Sequence, residues 1–319
     1  MKSALGTKPV VKWLKKTAVF WALITLVIIM TILSPVFLSP RNLANVVKQI
    51  AINGVLAIGM TVVLLTGGID LSVGSVVAIS SIVAAYFGKA DSTTPLAVTM
   101  LLSILTGVAV GVVNGLFIAY LKIVPFIVTL ATMTIVRGLA LLVTNGVPIF
   151  GLSSQMISLA NGSFLGLPNL IFFLLGLFLL VLLLLNGTVF GKRIYAVGGN
   201  LQSAVYSGIN ARLIQLSAYA ISGFCAGLAG LLIASRITSG NPTTGTGYET
   251  DAIAAAVIGG VSMSGGKGFL LGTIVGALII GVIQNGLDIL GISSYYQDIV
   301  QGVIILIAVL LDTRSNSKD

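Results

Sequence analysis

Six ionisable residues lie inside or at the edge of long apolar runs, and they are the first candidates for chemistry: Asp70, Arg137, Glu249, Asp251, Asp288 and Asp298. A charge at membrane depth costs several kcal/mol unless compensated, so each is a candidate site for a proton, a cation or a transported solute. A second role stands beside that one for the acids. Glu249 and Asp251 open an apolar stretch, Glu249 to Val261, where carboxylates also suit the positive end of a helix. Asp70 follows Gly67-Gly68, where it can cap a broken helix. Arg137 sits within an apolar run and needs an acid or backbone carbonyls as its partner. Asn114 and Asn285, each followed by glycine, are either hydrogen-bond formers between helices or lining of a pathway.

Catalysis finds no footing. The chain has no histidine, which excludes His general bases and His metal sites, and its one cysteine, Cys225, lies in an apolar run without a base beside it. Gly260 to Gly268, GVSMSGGKG, approaches a phosphate-binding loop but carries an extra glycine before the lysine and no Ser or Thr after it. If ATP drives this protein, another chain binds it. Neither a cofactor nor a metal is expected.

These residues must be positioned by helices in a membrane. Over 319 residues the chain is 57% hydrophobic and 8% charged, with a mean hydropathy of +1.12, against roughly 25% charged residues in soluble domains. The expected class is an all-α polytopic membrane protein forming one transmembrane domain, 1–319. At about 20 residues per span, that length holds roughly ten helices. The net charge of +9 comes from basic residues in short loops and tails, which orient a membrane protein and are no mark of nucleic-acid binding.

Met1 to Lys16 reads as a cytoplasmic tail, and Thr17 to Leu33, too long for a signal-peptide core, reads as the first span. Pro35 and Pro40 end it, and Arg41 to Gln49 reads as a polar turn. Spans are expected at about Val47 to Thr66, Val73 to Phe87, Leu96 to Tyr120, Phe126 to Val143 and Asn169 to Leu185. Further spans follow from Leu213 to Arg236, Phe269 to Leu290 and Tyr296 to Leu311. Glu249 to Val261 is too short to cross alone. Asn145 to Pro168, with no Lys or Arg, reads as an exterior loop, as does Thr238 to Tyr248. With both termini in the cytoplasm, twelve Lys and Arg fall inside and four outside, which supports that orientation.

The halves echo each other. Gly67-Gly68-Ile69-Asp70-Leu71-Ser72 resembles Gly259-Gly260-Val261-Ser262-Met263-Ser264, and Gly111 to Leu116 resembles Gly281 to Leu287 with one insertion. Repeats at about 47–144 and 213–312, offset by an odd number of helices, have inverted topology. Inverted repeats with glycine-broken helices are a transporter pattern.

Between two apolar runs stands a basic, Gly-rich interruption, 187–212, which must lie in water because its backbone and its Lys192, Arg193 and Arg212 would go unsatisfied in lipid. Its middle, Leu201 to Tyr206, has no helix breaker. Four motifs now carry a resemblance: Gly59-Met60-Thr61 with Gly67 to Ser75; Gly198-Gly199-Asn200 with Ser207-Gly208-Ile209-Asn210; Gly245 to Glu249; and Gly265-Gly266-Lys267-Gly268. Through nearly its whole length the chain resembles the sugar permeases of bacterial ABC importers, nearest to their ribose branch. The resemblance implies a homodimer in the inner membrane, joined to a cytoplasmic ATP-binding subunit and fed by a periplasmic sugar-binding protein. It further implies that the loop carries the coupling helix, Gly198 to Asn210, led in by Lys192 and Arg193, with Gly198, Gly199, Asn200, Leu201, Gln202, Ser203, Ala204, Ser207 and Gly208 as contacts. The family commonly has an acid and paired alanines after the Asn, where Leu201-Gln202-Ser203-Ala204 stands here. The expected function is import of a monosaccharide, ribose or a related pentose, by alternating access. The alternative is a secondary transporter in which Asp70, Glu249 or Asp251 binds a proton or cation.

Overall fold

The computed structural model describes residues 9–293 together with 295–297, 299–304, 306 and 310. The tail before Pro9, Asp298, the end of the expected last span and Thr313 to Asp319 lie outside the described residues. Helix dominates the rest. In chain order the elements are α1 (Pro9–Leu33), α2 (Pro40–Leu65), α3 (Val73–Phe87), α4 (Leu96–Ala119), α5 (Pro125–Thr144) and α6 (Ser154–Asn161). After a two-stranded hairpin come α7 (Asn169–Gly187), α8 (Val189–Gly199), α9 (Leu201–Tyr206), α10 (Ala211–Ile237), α11 (Tyr248–Ile258) and α12 (Leu270–Ile289). Six of these are long and apolar enough to cross a membrane, namely α2, α4, α5, α7, α10 and α12, and shorter apolar helices span Val19–Leu33 and Val73–Phe87. The chain is an all-α polytopic membrane protein.

Two helices form the centre. In their apolar windows 83% of α2 and 72% of α10 are buried, against 22% for α4 and for α5, so α2 and α10 are wrapped by protein while α4 and α5 turn apolar side chains outward. The wrapping is crossed over: α10 packs chiefly on α3 and α4, and α2 packs on α11 and α12. Glycine permits the α4–α10 contact, because Gly107 and Gly111 lie directly against the backbone of Tyr219, Gly223 and Gly227.

Two helices stop short. At 15 and 11 residues, α3 and α11 reach about 22 and 16 Å, less than the roughly 30 Å hydrocarbon thickness. Residues 66–72 leave the end of α2 and re-enter the protein before α3 starts, and 238–247 do the same between α10 and α11. The two half-helices therefore begin inside the molecule, and their N-termini meet. A Cβ on Gly74 would overlap the Gly245 carbonyl oxygen and the Glu249 carboxyl; only glycine lets the two backbones come this close.

The structure departs from the sequence-based expectations in three places. Arg41 to Gln49 is the first part of α2 and not a turn: Pro40 occupies the first helical position and Ser39 caps it, accepting from the Asn42 N–H at 3.3 Å. The proline that ends α1's region starts the next helix. Asn145 to Pro168 holds α6, capped by Ser153 on the Met156 N–H, and a hairpin pairing Ser163 with Pro168 and Phe164 with Leu167. Finally, the Gly67–Ser72 motif joins α2 to α3, whereas Gly259–Ser264 joins α11 to α12. The two motifs therefore occupy different joints. By element order the counterpart of 66–72 is 238–247.

Candidate functional site

At the first joint, Gly67 takes φ +79° and the following strand of chain is held by side chains from three helices. Asp70 is fully buried and is filled with donors: its Oδ1 accepts from the Ser72 N–H at 3.0 Å and the Ser72 hydroxyl at 2.6 Å, and its Oδ2 from the Ser222 hydroxyl of α10 at 2.7 Å. Asn114 of α4 donates to the Ser72 hydroxyl at 2.9 Å and accepts from Thr132 of α5 at 2.7 Å. Tyr219 of α10 donates to the Ile69 carbonyl at 3.1 Å. Among the described residues, no Lys or Arg bridges Asp70. The carboxyl sits just ahead of α3, where the helix dipole favours negative charge, and the arrangement fixes where α3 begins. Ser222, Tyr219 and Thr132 escaped the sequence reading, since a lone hydroxyl in an apolar run carries no spacing signal.

The second joint is pinned by Arg137, whose guanidinium reaches from α5 to the carbonyls of Pro242 at 2.6 Å and Thr244 at 2.8 Å. Its partners are carbonyls, one of the two classes the sequence allowed. Glu249 lies within electrostatic reach of Arg137 and accepts from the Gly247 N–H at 3.3 Å, at the start of α11. Replacing Arg137 by Met strands two carbonyls bound to a charged donor. Such bonds contribute about 1.5–3 kcal/mol each, so the variant is expected to denature at a lower temperature in detergent, and digestion within 238–247 reads out the freed loop.

Asp251 behaves differently from Glu249. Though in the first turn of α11, its carboxyl turns away to side-chain amides: Gln284 of α12 donates to it at 3.2 Å, Gln301 donates to it, and Gln49 of α2 donates to Gln284 at 3.1 Å. The next residue on α12, Asn285, exchanges two hydrogen bonds of 2.9 Å with Asn42. That reciprocal pair is buried and clamps α2 to α12. Of the residues singled out as candidate pathway, Asn114, Asn285, Asp70 and the Gly67-Gly68 break are thus engaged in joints, and Asp251 lies in an amide network.

At the end of the molecule where α2 terminates, three Gly-Gly pairs converge, two in turns and one, Gly198-Gly199, at the end of α8. Gly198 lies against the Leu65 carbonyl and the Gly266 N–H; Gly266 touches Gly199, and Gly265 touches Gly67. The Gly266 N–H donates to the Leu65 carbonyl at 3.0 Å, and Tyr195 of α8 donates to the Gly268 carbonyl at 3.1 Å, with burial pushing the phenol's pKa up. The α8–α9 element therefore rests directly on the α2–α3 break and on the α11–α12 turn. Ile194, Val197 and Ala204 anchor it inward. Caps hold its two helices: Thr188 accepts from Gly191 at 3.1 Å and Asn200 from Ser203 at 2.8 Å. Its outer face exposes Lys192, Arg193, Gln202, Ser203, Ser207 and Gly208, with Leu201, Val205 and Tyr206 among them. Tyr206 is 89% exposed.

A family model for the branched-chain amino acid transport system / permease component matches residues 42–309. A ribose import permease protein of Bacillus subtilis (strain 168) is 46% identical over 95% of this chain and 94% of its own length. The ribose import permease protein of Escherichia coli (strain K12) is 42% identical over 95% of each chain. A galactose/methyl galactoside import permease protein of Salmonella typhimurium is 39% identical over 99% of each. No solved structure matches the chain.

Proposed function

The chain belongs to the branched-chain amino acid transport system / permease component family, and from that premise we propose that it is the membrane-spanning permease of an ATP-binding-cassette importer that carries ribose inward. The relatives named for ribose are 46% and 42% identical, and the one named for galactose 39%, which favours the pentose. In this reading the α8–α9 element faces the cytoplasm and receives the ATP-binding subunit, a periplasmic sugar-binding protein meets the opposite end at 145–168 and 238–247, and two copies form the path. Both termini lie in the cytoplasm of a bacterium's inner membrane.

One observation carries the mechanism. The α8–α9 element offers an apolar and basic outer face, while Gly198 and Gly199 on its inner face touch the end of α2 and the α11–α12 turn backbone to backbone. A push on that face reaches Leu65 and Gly266 through these backbone contacts, with the Tyr195 hydroxyl on the Gly268 carbonyl beside them. Such contacts suit alternating access, in which ATP-driven closure outside the membrane must move helices within it. The crossed-over packing of α2 and α10, and the two half-helices that start at its centre, support inverted repeats at about 47–144 and 213–312.

A proton- or cation-driven transporter needs an ionisable group able to take up its cargo. Asp70 is already filled with hydroxyl and amide donors, so the geometry lends that reading little. In proteoliposomes holding this chain, its ATP-binding subunit and ribose-loaded binding protein, uptake is expected to stop when ATP is withheld and to persist when a protonophore is added with ATP maintained. Uptake that collapses with the protonophore overturns the importer reading.

A further inference from the structure

The hairpin between α6 and α7 pairs Ser163 with Pro168 and Phe164 with Leu167, and its two-residue tip is Leu165-Gly166. Both tip residues are left-handed, at φ +52° and +78°. Tight turns of this kind favour Asn, Asp or Gly at their first position, yet here a leucine takes the strained conformation and is 83% exposed. Phe164 and Leu167 beside it are exposed as well. Charge is absent from the whole neighbourhood: no Asp, Glu, Lys or Arg stands between Arg137 and Lys192. A partner protein steered by charge complementarity finds nothing to read on such a surface.

The level of the hairpin in the molecule points to what covers it. Leu174 of α7 lies against Gly54 of α2, and Gly198 of α8, which follows α7, lies against Leu65 at the end of α2, so α2 and α7 run in the same direction. Asn169, a turn and a half before Leu174, then stands about 24 Å along α2 from the level of Leu65, within the roughly 30 Å of a bilayer's hydrocarbon. At 19 residues, or about 28 Å, α7 has only just the length to cross. The hairpin therefore enters α7 at the lipid boundary. Its exposed side chains continue the outward face of that span, which runs on through Phe172, Leu175 and Leu179, and the Phe164 and Phe172 rings meet edge to face with centroids 5.5 Å apart. A groove of about 460 Å³ opens between α6, the hairpin and α7, lined by Ser158, Leu159, Phe164, Asn169, Phe172 and Phe173. Asn169 donates its amide to the Ser158 carbonyl at 2.9 Å and Ser158 its hydroxyl to the Gln155 carbonyl at 2.8 Å. What the groove offers is three phenyl rings and a leucine.

We propose that this hairpin is an interfacial anchor, with Phe164, Leu165 and Leu167 set in the bilayer leaflet on the side away from α8–α9 and a phospholipid acyl chain filling the groove. The anchor rests on the membrane-protein fold and not on the importer reading, within which that leaflet is the outer one and the sugar-binding protein keeps 145–162 and 238–247. Its test uses the full chain in vesicles of phosphatidylethanolamine and phosphatidylglycerol, with a nitroxide spin label on Phe164→Cys in a Cys225→Ala background. Collisions with oxygen, which concentrates among acyl chains, are compared with collisions with a water-soluble nickel chelate. A side chain sunk about 5–10 Å into the headgroup and acyl boundary is expected to show an oxygen-to-nickel ratio at least about tenfold that of a label on Gln155→Cys, on the exposed side of α6. Leu167→Cys supplies a second reading should the label at 164 disturb the packing on Phe172, and added sugar-binding protein is expected to change neither. Labels at 164 and 167 that meet the chelate as freely as the one at 155 overturn the anchor. Labels shielded from the chelate only once the sugar-binding protein is added overturn it too, in favour of a protein docking site. No ATP-binding subunit enters the measurement, so failure of the importer reading leaves its outcome standing.

Discussion

Gly198→Val abolishes ATP-driven ribose import while Gly187→Ala leaves it at the wild-type rate. The contrast follows from what each new side chain meets. Nothing lies within 4 Å of a Cβ on Gly187, whereas a Cβ on Gly198 overlaps the Leu65 carbonyl and comes within 2.7 Å of the Gly266 nitrogen. Overpacking against movable side chains costs about 1–3 kcal/mol; here the obstacles are backbone atoms at two joints, and the 3.0 Å bond from Gly266 to Leu65 must also part. The α8–α9 element would lift off the joints that it is proposed to move. We expect import to fall at least 100-fold, with ATP hydrolysis no longer answering to ribose-loaded binding protein. The double variant Gly199→Pro, Ser203→Pro tests the neighbouring step, because it removes the N–H that Asn200 caps at 2.8 Å and so unravels α9 without entering the membrane. Import that survives both variants would mean that 187–212 is a loop without a transmitting role.

How far the sequence reaches is clearest at these joints. Local signals were enough for α3, whose bounds Val73 and Phe87 follow from the Gly-Gly-Ile-Asp break and the polar turn after it, and for α9, a six-residue helix between Asn200 and Ser207. The same reasoning failed at Pro40, since a proline reads equally as the end of one helix or the first residue of another, and only the Ser39 cap decides. It failed again for 145–168, where α6 is held by α10 through Asn161 and Ser235 and not by its own periodicity. The partners of the polar residues were out of reach altogether. Asp70 meets Ser222 across 152 positions and Asn42 meets Asn285 across 243, and no spacing rule links residues that only the packing of α2 and α10 brings together. The motif echo pairs two different joints for a related reason: Gly-Gly recurs wherever two backbones must touch, so it marks the three pairs that meet at the end of α8 as readily as a repeat.

Asp70→Leu should leave no folded protein to assay, and Asp70→Asn should leave an importer that works. Leucine strands the Ser72 N–H, the Ser72 hydroxyl and the Ser222 hydroxyl in a dry joint, three donors at about 1–3 kcal/mol each, against a total stability of about 5–15 kcal/mol for typical domains. The loss propagates, because Ser72 also receives Asn114 and Asn114 receives Thr132, so α4 and α5 lose their hold on the start of α3. Asparagine has nearly the same shape and keeps an acceptor oxygen for the two bonds from Ser72. Only the Ser222 hydroxyl must change, turning to accept from the new amide where it donated to the carboxyl. The charge is removed while the joint persists. If Asp70 serves as a cap for the broken helix, Asp70→Asn imports ribose within about threefold of wild type, a loss under 1 kcal/mol at RT ≈ 0.59 kcal/mol, and stays insensitive to a protonophore. If Asp70 takes up a proton or cation as cargo, the Asn variant folds, keeps its thermal denaturation profile and transports nothing. Denaturation and uptake measured on the same preparation separate the two, because the cap predicts that they fall together in the Leu variant and survive together in the Asn variant.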